Sequence, residues 1–193
     1  MEELGRIIRL SVQVAPLKRG EKPARWYDAD RIRRVDAVTI TGDGVIGHLD
    51  GHPDPIVDVH NRTHPQSRHR GDNGISLGVH GHYELMRRWF GQHVTDGVAG
   101  ENLVIDREDR LWLDALRDGV TALGEAPVVF GGARDIEPCV EFSRFVLGGD
   151  HEGSVREPLQ QLRRGLRGFN LGVTAGAGTV LRVGDRVFAG TPD

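Results

Sequence analysis

Residues 35–47 read VDAVTITGDGVIG and place β-branched runs on both sides of Thr41-Gly42-Asp43-Gly44. Glycine and aspartate favour a tight turn, whereas valine, isoleucine and threonine favour extended backbone. The stretch therefore predicts a strand, a turn and a second strand. Near the C-terminus, residues 169–190 read FNLGVTAGAGTVLRVGDRVFAG and predict a closing hairpin followed by a final strand.

The first strand is predicted at residues 6–14, where apolar and polar residues alternate with a period of two. Further strands are predicted at residues 103–105 and within residues 111–130, which are broken by glycine-containing turns. Residues 48–76 are polar, rich in histidine and proline, and show neither helical nor strand periodicity. We therefore expect them to form a long surface loop.

Two helices are expected between these strands. Residues 83–90 read YELMRRWF and place their apolar side chains on one helical face. Ser154 and Glu157 have the spacing of a capping box and predict the start of another helix. Many short strands with a few helices, and no linker that divides the chain, predict one domain over residues 1–193 with a mainly β, barrel-like fold and a few flanking helices.

Composition argues against several classes of function. A net charge of −3 with no long basic stripe is unfavourable for nucleic-acid binding. No apolar run approaches the roughly 20 residues of a membrane span, and the N-terminus lacks the features of a secretory signal, so we expect a cytoplasmic location. The two lysines, Lys18 and Lys22, lie in the loop-like stretch PLKRGEKP, which argues against a pyridoxal phosphate site within this chain.

Cys139 is the single cysteine of the chain, so it cannot form an internal disulfide. It lies between Arg134 and Arg144 in GGARDIEPCVEFSRF, and nearby guanidinium groups favour the thiolate that acts as nucleophile or soft-metal ligand. A lone cysteine is also commonly a buried apolar residue. The residues of this segment alone leave both readings open.

A series of motifs follows in order along the chain: Gly42 to Gly47, HYELMRRWFG at residues 82–91, Gly100-Glu101-Asn102-Leu103, Pro138-Cys139, Arg167-Gly168-Phe169 and Gly184-Asp185. Read together, they resemble the MOSC family, named for the C-terminal domain of molybdenum cofactor sulfurases. The most specific pair is Gly100-Glu101-Asn102-Leu103 followed by Pro138-Cys139, and the likeness covers about residues 35–190.

The resemblance implies a MOSC-type β-barrel that binds a molybdopterin-type molybdenum cofactor, with Cys139 as the functional cysteine. In family members that are complete molybdoenzymes, the matching cysteine ligates molybdenum and the enzymes reduce N-hydroxylated and related N-oxygenated compounds. In the sulfurases the domain is instead a cofactor-binding or sulfur-carrier module, which implies a Cys139 persulfide. The first role would need a redox protein partner and the second a sulfur donor.

The remaining candidate site residues are expected to bind the cofactor or the small-molecule substrate. Arg134, Arg144 and Arg167 suit phosphate oxygens. Glu101 and Asn102 would either orient the pterin or substrate, or fix their own loop through bonds to the backbone. Eight of the nine histidines lie between residues 48 and 93.

The clustered histidines leave two interpretations open. One of them, His60 or His82, would line the pocket as a proton donor. Alternatively, the histidines would ligate a metal inside the barrel, in the manner suggested by His80-Gly81-His82, and Cys139 would only pack.

Overall fold

The computed structural model describes residues 1–148 and 154–192. The strands are β1 (Glu2–Gln13), β2 (Lys18–Arg19), β3 (Trp26–Tyr27), β4 (Ile32–Val35), β5 (Ala37–Thr41), β6 (Gly44–His48), β7 (Ile56–Val57), β8 (Ile75–Val79), β9 (Leu103–Ile105), β10 (Val120–Leu123), β11 (Pro127–Asp135), β12 (Phe169–Ala175), β13 (Val180–Arg182) and β14 (Arg186–Ala189). The α-helices are α1 (His80–Phe90), α2 (Val140–Val146) and α3 (Arg156–Gln161), and two 3₁₀ turns cover Ala29–Arg31 and Leu113–Leu116.

Seven strands close into a barrel in the order β14, β10, β11, β12, β8, β9 and β1, and β1 pairs back with β14. Neighbouring strands run antiparallel except β8 and β9, which are parallel. The mainly β barrel predicted from the sequence is confirmed. A separate four-stranded sheet has the order β13, β5, β6, β7, and β2 pairs with β3 as a short hairpin.

The long strand β1 pairs with three different strands along its length. Its first residues pair with β14, its middle with β9 and its last residues with β4. The strand must bend to do so, and its register shifts between Glu3 and Gly5. Gly5 has a φ of 145°, and a Cβ there would lie 2.5 Å from the Asp106 carboxylate, so only glycine fits this bend.

The barrel interior is filled by aliphatic side chains that alternate along the strands, together with Phe130 and Phe169. A second apolar cluster lies outside the barrel wall, where Tyr83 and Met86 of α1 pack with Phe142 and Val146 of α2. This second cluster joins the helices to Val104 of β9. It fixes α2, and hence the chain immediately before it, against the barrel.

Most local predictions agree with these elements. The turn at residues 41–44 is a hairpin in which Thr41 pairs with Gly44. The first strand begins at Glu2 rather than residue 6, and α1 begins at His80 rather than residue 83. The loop over residues 48–76 contains the two-residue strand β7. None of the described helices is long and apolar enough to cross a membrane.

Two local predictions are wrong. The closing hairpin does not form, because β12 pairs with β8 and β11 whereas β13 pairs with β5 in the other sheet. The capping box is also absent: the residue that caps α3 is Val155, without a side-chain cap, although Ser154 Oγ accepts a bond from the Arg156 amide. The sequence pattern did not predict α2, a seven-residue helix.

Candidate functional site

A cleft of about 690 Å³ opens where β1 and β11 end and where β8, β9 and β12 begin. It is lined by residues from distant parts of the chain, including Cys139, His60 and Arg167, and its other walls come from the β2–β3 hairpin and the loop before β8. One cavity therefore brings together four residues that were selected from the sequence: Cys139, His60, Arg167 and Arg134.

Cys139 is the residue immediately before α2, and its thiol is free and partly buried. Its carbonyl oxygen accepts a hydrogen bond from the Ser143 amide at 2.9 Å, which fixes the backbone at the start of the helix. One side of the residue packs against the second apolar cluster and the other lines the cleft. The thiol is thus held in a defined place from which it can meet a ligand.

Arg167 is a buried cation at the cleft wall, and its side chain is only 7% exposed. Its guanidinium stacks 4.0 Å from the Phe142 ring centre, and its Nη2 donates to the Ala99 carbonyl at 3.1 Å. Its Nε and Nη1 have no hydrogen-bond partner in the described part of the chain. Arg167 also lines the cleft, so its positive charge favours an anionic ligand group there.

Glu101 supports Arg167 from behind the cleft. Its carboxylate lies 3.7 Å from Arg167 Nη1 and accepts a hydrogen bond from the Tyr83 hydroxyl. Burial opposes the Arg167 charge, yet Glu101, Tyr27 and Cys139 together raise the pKa of Arg167. Burial raises the pKa of Glu101 and Arg167 opposes that shift. Arginine does not lose its proton in proteins, so Arg167 keeps its positive charge at the cleft wall.

His60 is a third side chain of the cleft that the sequence singled out, after Cys139 and Arg167. Its ring is 26% exposed, and its Nδ1 lies 3.2 Å from Oδ1 of Asp58, a carboxylate that is fully buried. Asp58 also lies within 3.0 Å of Asn102 Nδ2. A histidine that lines a cavity and is held by a carboxylate has the arrangement of a general acid or base.

The cleft is rich in cations that the sequence analysis did not select. They are Lys18, Arg25, Arg68 and Arg70, and they line the same cleft as Arg134. Glu141 pairs with both Lys18 and Arg25, and Asp72 pairs with Arg134. Among the described residues, Arg68 and Arg70 have no ion pair. The run Arg68-His69-Arg70 was the one sequence signal for this charge, since the other cations come from separate segments.

Four selected residues do not line the cleft. Arg144 is part of α2, and its Nη1 donates to the Pro23 carbonyl at 3.4 Å. Glu101 and Asn102 lie behind the cleft wall, because the backbone on entering β9 turns both side chains into the protein. Of the two readings of Glu101 and Asn102, the structure therefore supports the one in which they hold the protein's own groups.

His82 is also not a cleft residue. It is 1% exposed, and its Nε2 accepts a bond from the Leu111 amide at 3.0 Å. His80 points elsewhere and pairs with Asp96, so His80-Gly81-His82 does not form a pair of metal ligands. Within residues 1–148 and 154–192, no three histidine, cysteine or acidic side chains converge on a point. The structure thus offers no histidine metal centre in its described part.

Burial of His82 predicts acid lability. Burial lowers the pKa of His82 from 6.5 to about 4, so between these values the unfolded chain binds more protons than the folded one. Stability should therefore be complete above pH 6.5 and fall as the pH decreases towards 4, by up to about 3 kcal/mol from this residue. Urea unfolding of wild type and His82→Gln measures it. A difference between the two proteins that is constant from pH 7 to 4 would contradict the prediction.

No family model and no curated protein matches this chain. Solved structures similar to it include the following two. One is the crystal structure of a hypothetical protein, with 16% identity and a TM-score of 0.56 over 100% of this chain and 70% of that one. The other is the YuaD protein from Bacillus subtilis, with 12% identity and a TM-score of 0.56 over 95% of this chain and 96% of that one. At these identities the likeness concerns the fold alone.

Proposed function

We propose that this chain is a MOSC-type protein that binds a molybdopterin-type molybdenum cofactor in the cleft, with Cys139 as molybdenum ligand, and reduces N-hydroxylated or related N-oxygenated compounds. The observation that carries the proposal is that the free, partly buried Cys139 and the buried guanidinium of Arg167 line the same cavity. These groups come from segments that are about 28 residues apart in the sequence, and both were selected by the family resemblance.

The residues of the cleft fit such a cofactor chemically. A soft thiolate is a suitable ligand for a thiophilic metal. Arg167, together with Lys18 and Arg68, offers guanidinium and ammonium groups to a phosphate dianion. The Asn170 side chain at the same cavity offers hydrogen bonds to the nitrogen and oxygen atoms of a pterin ring. The cleft volume of about 690 Å³ lies in the range of small-molecule and cofactor sites.

His60 favours the enzyme over a passive carrier. Reducing an N–OH group to N–H consumes two electrons and two protons and releases water. The cofactor, when bound, supplies the two-electron transfer. His60 lines the same cleft as Cys139 and can deliver a proton to the leaving hydroxyl, which general acid catalysis requires. Carrying a persulfide would need no proton donor. With a single cysteine, the chain has no cysteine set for an iron–sulfur cluster, so electrons would come from a redox protein partner.

Metal content tests the proposal directly. The wild-type protein is produced in a host that makes the cofactor and, as matched control, in the same host with that synthesis abolished. We expect about one molybdenum per chain, with pterin fluorescence, from the first host, and neither from the second, because a buried cation and a thiolate retain the cofactor through purification. Zinc or iron in both preparations, or no metal, would contradict the proposal. A Cys139 persulfide without molybdenum would favour the sulfur-carrier role instead.

A further inference from the structure

Asp58 is a buried carboxylate that holds His60 from the barrel side. It follows β7 and is 0% exposed. Its Oδ1 accepts from the His60 amide at 2.7 Å and contacts His60 Nδ1 at 3.2 Å. Its Oδ2 accepts from the Gln13 amide at 2.7 Å and from Asn102 Nδ2 at 3.0 Å. Every partner of this carboxylate is therefore a nitrogen, and the bonds divide equally between its two oxygens.

This arrangement selects one tautomer of the His60 ring. A carboxylate oxygen only accepts hydrogen bonds, so the contact with His60 Nδ1 requires the proton to be on Nδ1. The neutral ring then carries its lone pair on Nε2. Since His60 lines the cleft, Nε2 is the nitrogen left to take up a proton and pass it to a bound molecule.

Asn102 in turn holds Asp58. Its Nδ2 donates to Asp58 and to the Ser11 carbonyl at 3.2 Å, and its Oδ1 accepts from both the amide and the hydroxyl of Ser76 at 3.0 Å. Every donor and acceptor of this amide is used, so its orientation is fixed. Ser11 lies on β1 and Ser76 on β8, so the network is attached to the barrel wall.

We propose that Asp58 is the positioning residue of His60, and that Asn102 anchors Asp58 to the barrel, so that His60 exchanges protons with the contents of the cleft only through Nε2. The role of His60 as a proton donor rests on the proposed function, but the positioning does not. Asn102 does not line the cleft, and it acts on the cleft through two other side chains, Asp58 and His60.

Asparagine cannot replace Asp58 in this network. Its carbonyl oxygen can face either the Gln13 and Asn102 donors or the two His60 nitrogens, and its NH₂ group then opposes the other pair. When the NH₂ group faces His60, ring Nδ1 must accept, which moves the ring proton to Nε2. We therefore expect Asp58→Asn to convert at least half of His60 to the Nε2–H tautomer.

The tautomer is measured by long-range ¹H–¹⁵N correlation of the histidine rings in protein without molybdenum, at a pH where the rings are neutral. The His60→Gln variant identifies the His60 signals, and Asp43→Asn, a surface carboxylate paired with Arg62, is the matched control. We expect Nδ1–H for His60 in the wild type and in the control. An Nε2–H ring in the wild type would overturn the proposal without any variant, as would an unchanged ring in a folded Asp58→Asn protein.

A kinetic comparison in molybdenum-loaded protein distinguishes positioning from a general structural effect. Asp58→Asn and His60→Gln should each lower kcat by about 100-fold with little change in KM, and the double variant should be no slower than either single one. Additive losses would contradict action through His60. If the protein binds no molybdenum, the proposed function fails, and the tautomer measurement still decides the role of Asp58.

Discussion

Cys139→Ser is expected to fold with wild-type stability and to retain less than about a tenth of the molybdenum bound by the wild-type protein, because a serine hydroxyl does not ionise near neutral pH and is a poor ligand for a thiophilic metal. The substitution changes one atom. The thiol is partly buried, and the Cys139 side chain does not cap α2, so little of the folded structure depends on it.

Two measurements on the same samples test this expectation: molybdenum per chain by elemental analysis, and the urea midpoint. Val140→Ala is a matched control, because Val140 is the adjacent residue, is 39% exposed and does not line the cleft. It should keep its molybdenum. A Cys139→Ser protein that kept the wild-type molybdenum content would show that the thiol only packs.

Arg167→Met is expected to destabilise the protein by about 3 kcal/mol at pH 7, since it leaves the Glu101 carboxylate buried without its cation. The side-chain volume is largely kept, so contact with Phe142 is retained and the loss reports mainly on charge. Burial already raises the pKa of Glu101, and without Arg167 only smaller effects, among them the Tyr83 hydrogen bond and Arg9, oppose that shift. The deficit should therefore shrink as the pH falls and Glu101 takes up a proton.

A double variant that carries Glu101→Gln together with Arg167→Met shows whether the unpaired Glu101 charge causes the loss of stability. Glutamine can still accept the bond from the Tyr83 hydroxyl, and it removes the unpaired charge, so the double variant should recover most of the lost stability. Arg134→Met is the control, because Arg134 is 53% exposed and pairs with a partly exposed aspartate, a contact worth about 1 kcal/mol or less. Urea unfolding measures all three. An Arg167→Met protein within about 0.5 kcal/mol of wild type would mean that the pair is not a significant buried charge pair.

The alternation of side chains along a strand could be predicted from the sequence, because it depends only on residues close together in the chain. The period of two in β1 and the turn at Gly42-Asp43 depend on neighbours one to four residues away. The sequence did not predict α2, because an isolated helix of seven residues is not stable by itself. The packing of Phe142 against Tyr27 stabilises it in the folded protein. Likewise, β12 and β13 follow one another in sequence but pair in different sheets.

The sequence by itself determined the barrel-like fold and a wider set of candidates, in which Cys139, Arg134 and Arg167 stood beside Arg144, Glu101 and Asn102, and His60 beside His82, since residue type indicates which chemistry is possible. Only the tertiary structure decided which of those residues share a cavity, because that depends on the closure of seven strands that are distant in the chain. It also separated Glu101 and Asn102 from the ligand side of the wall. A polar side chain near a cleft can face the ligand or the protein, and burial and hydrogen-bond partners, which no local pattern encodes, decide between them.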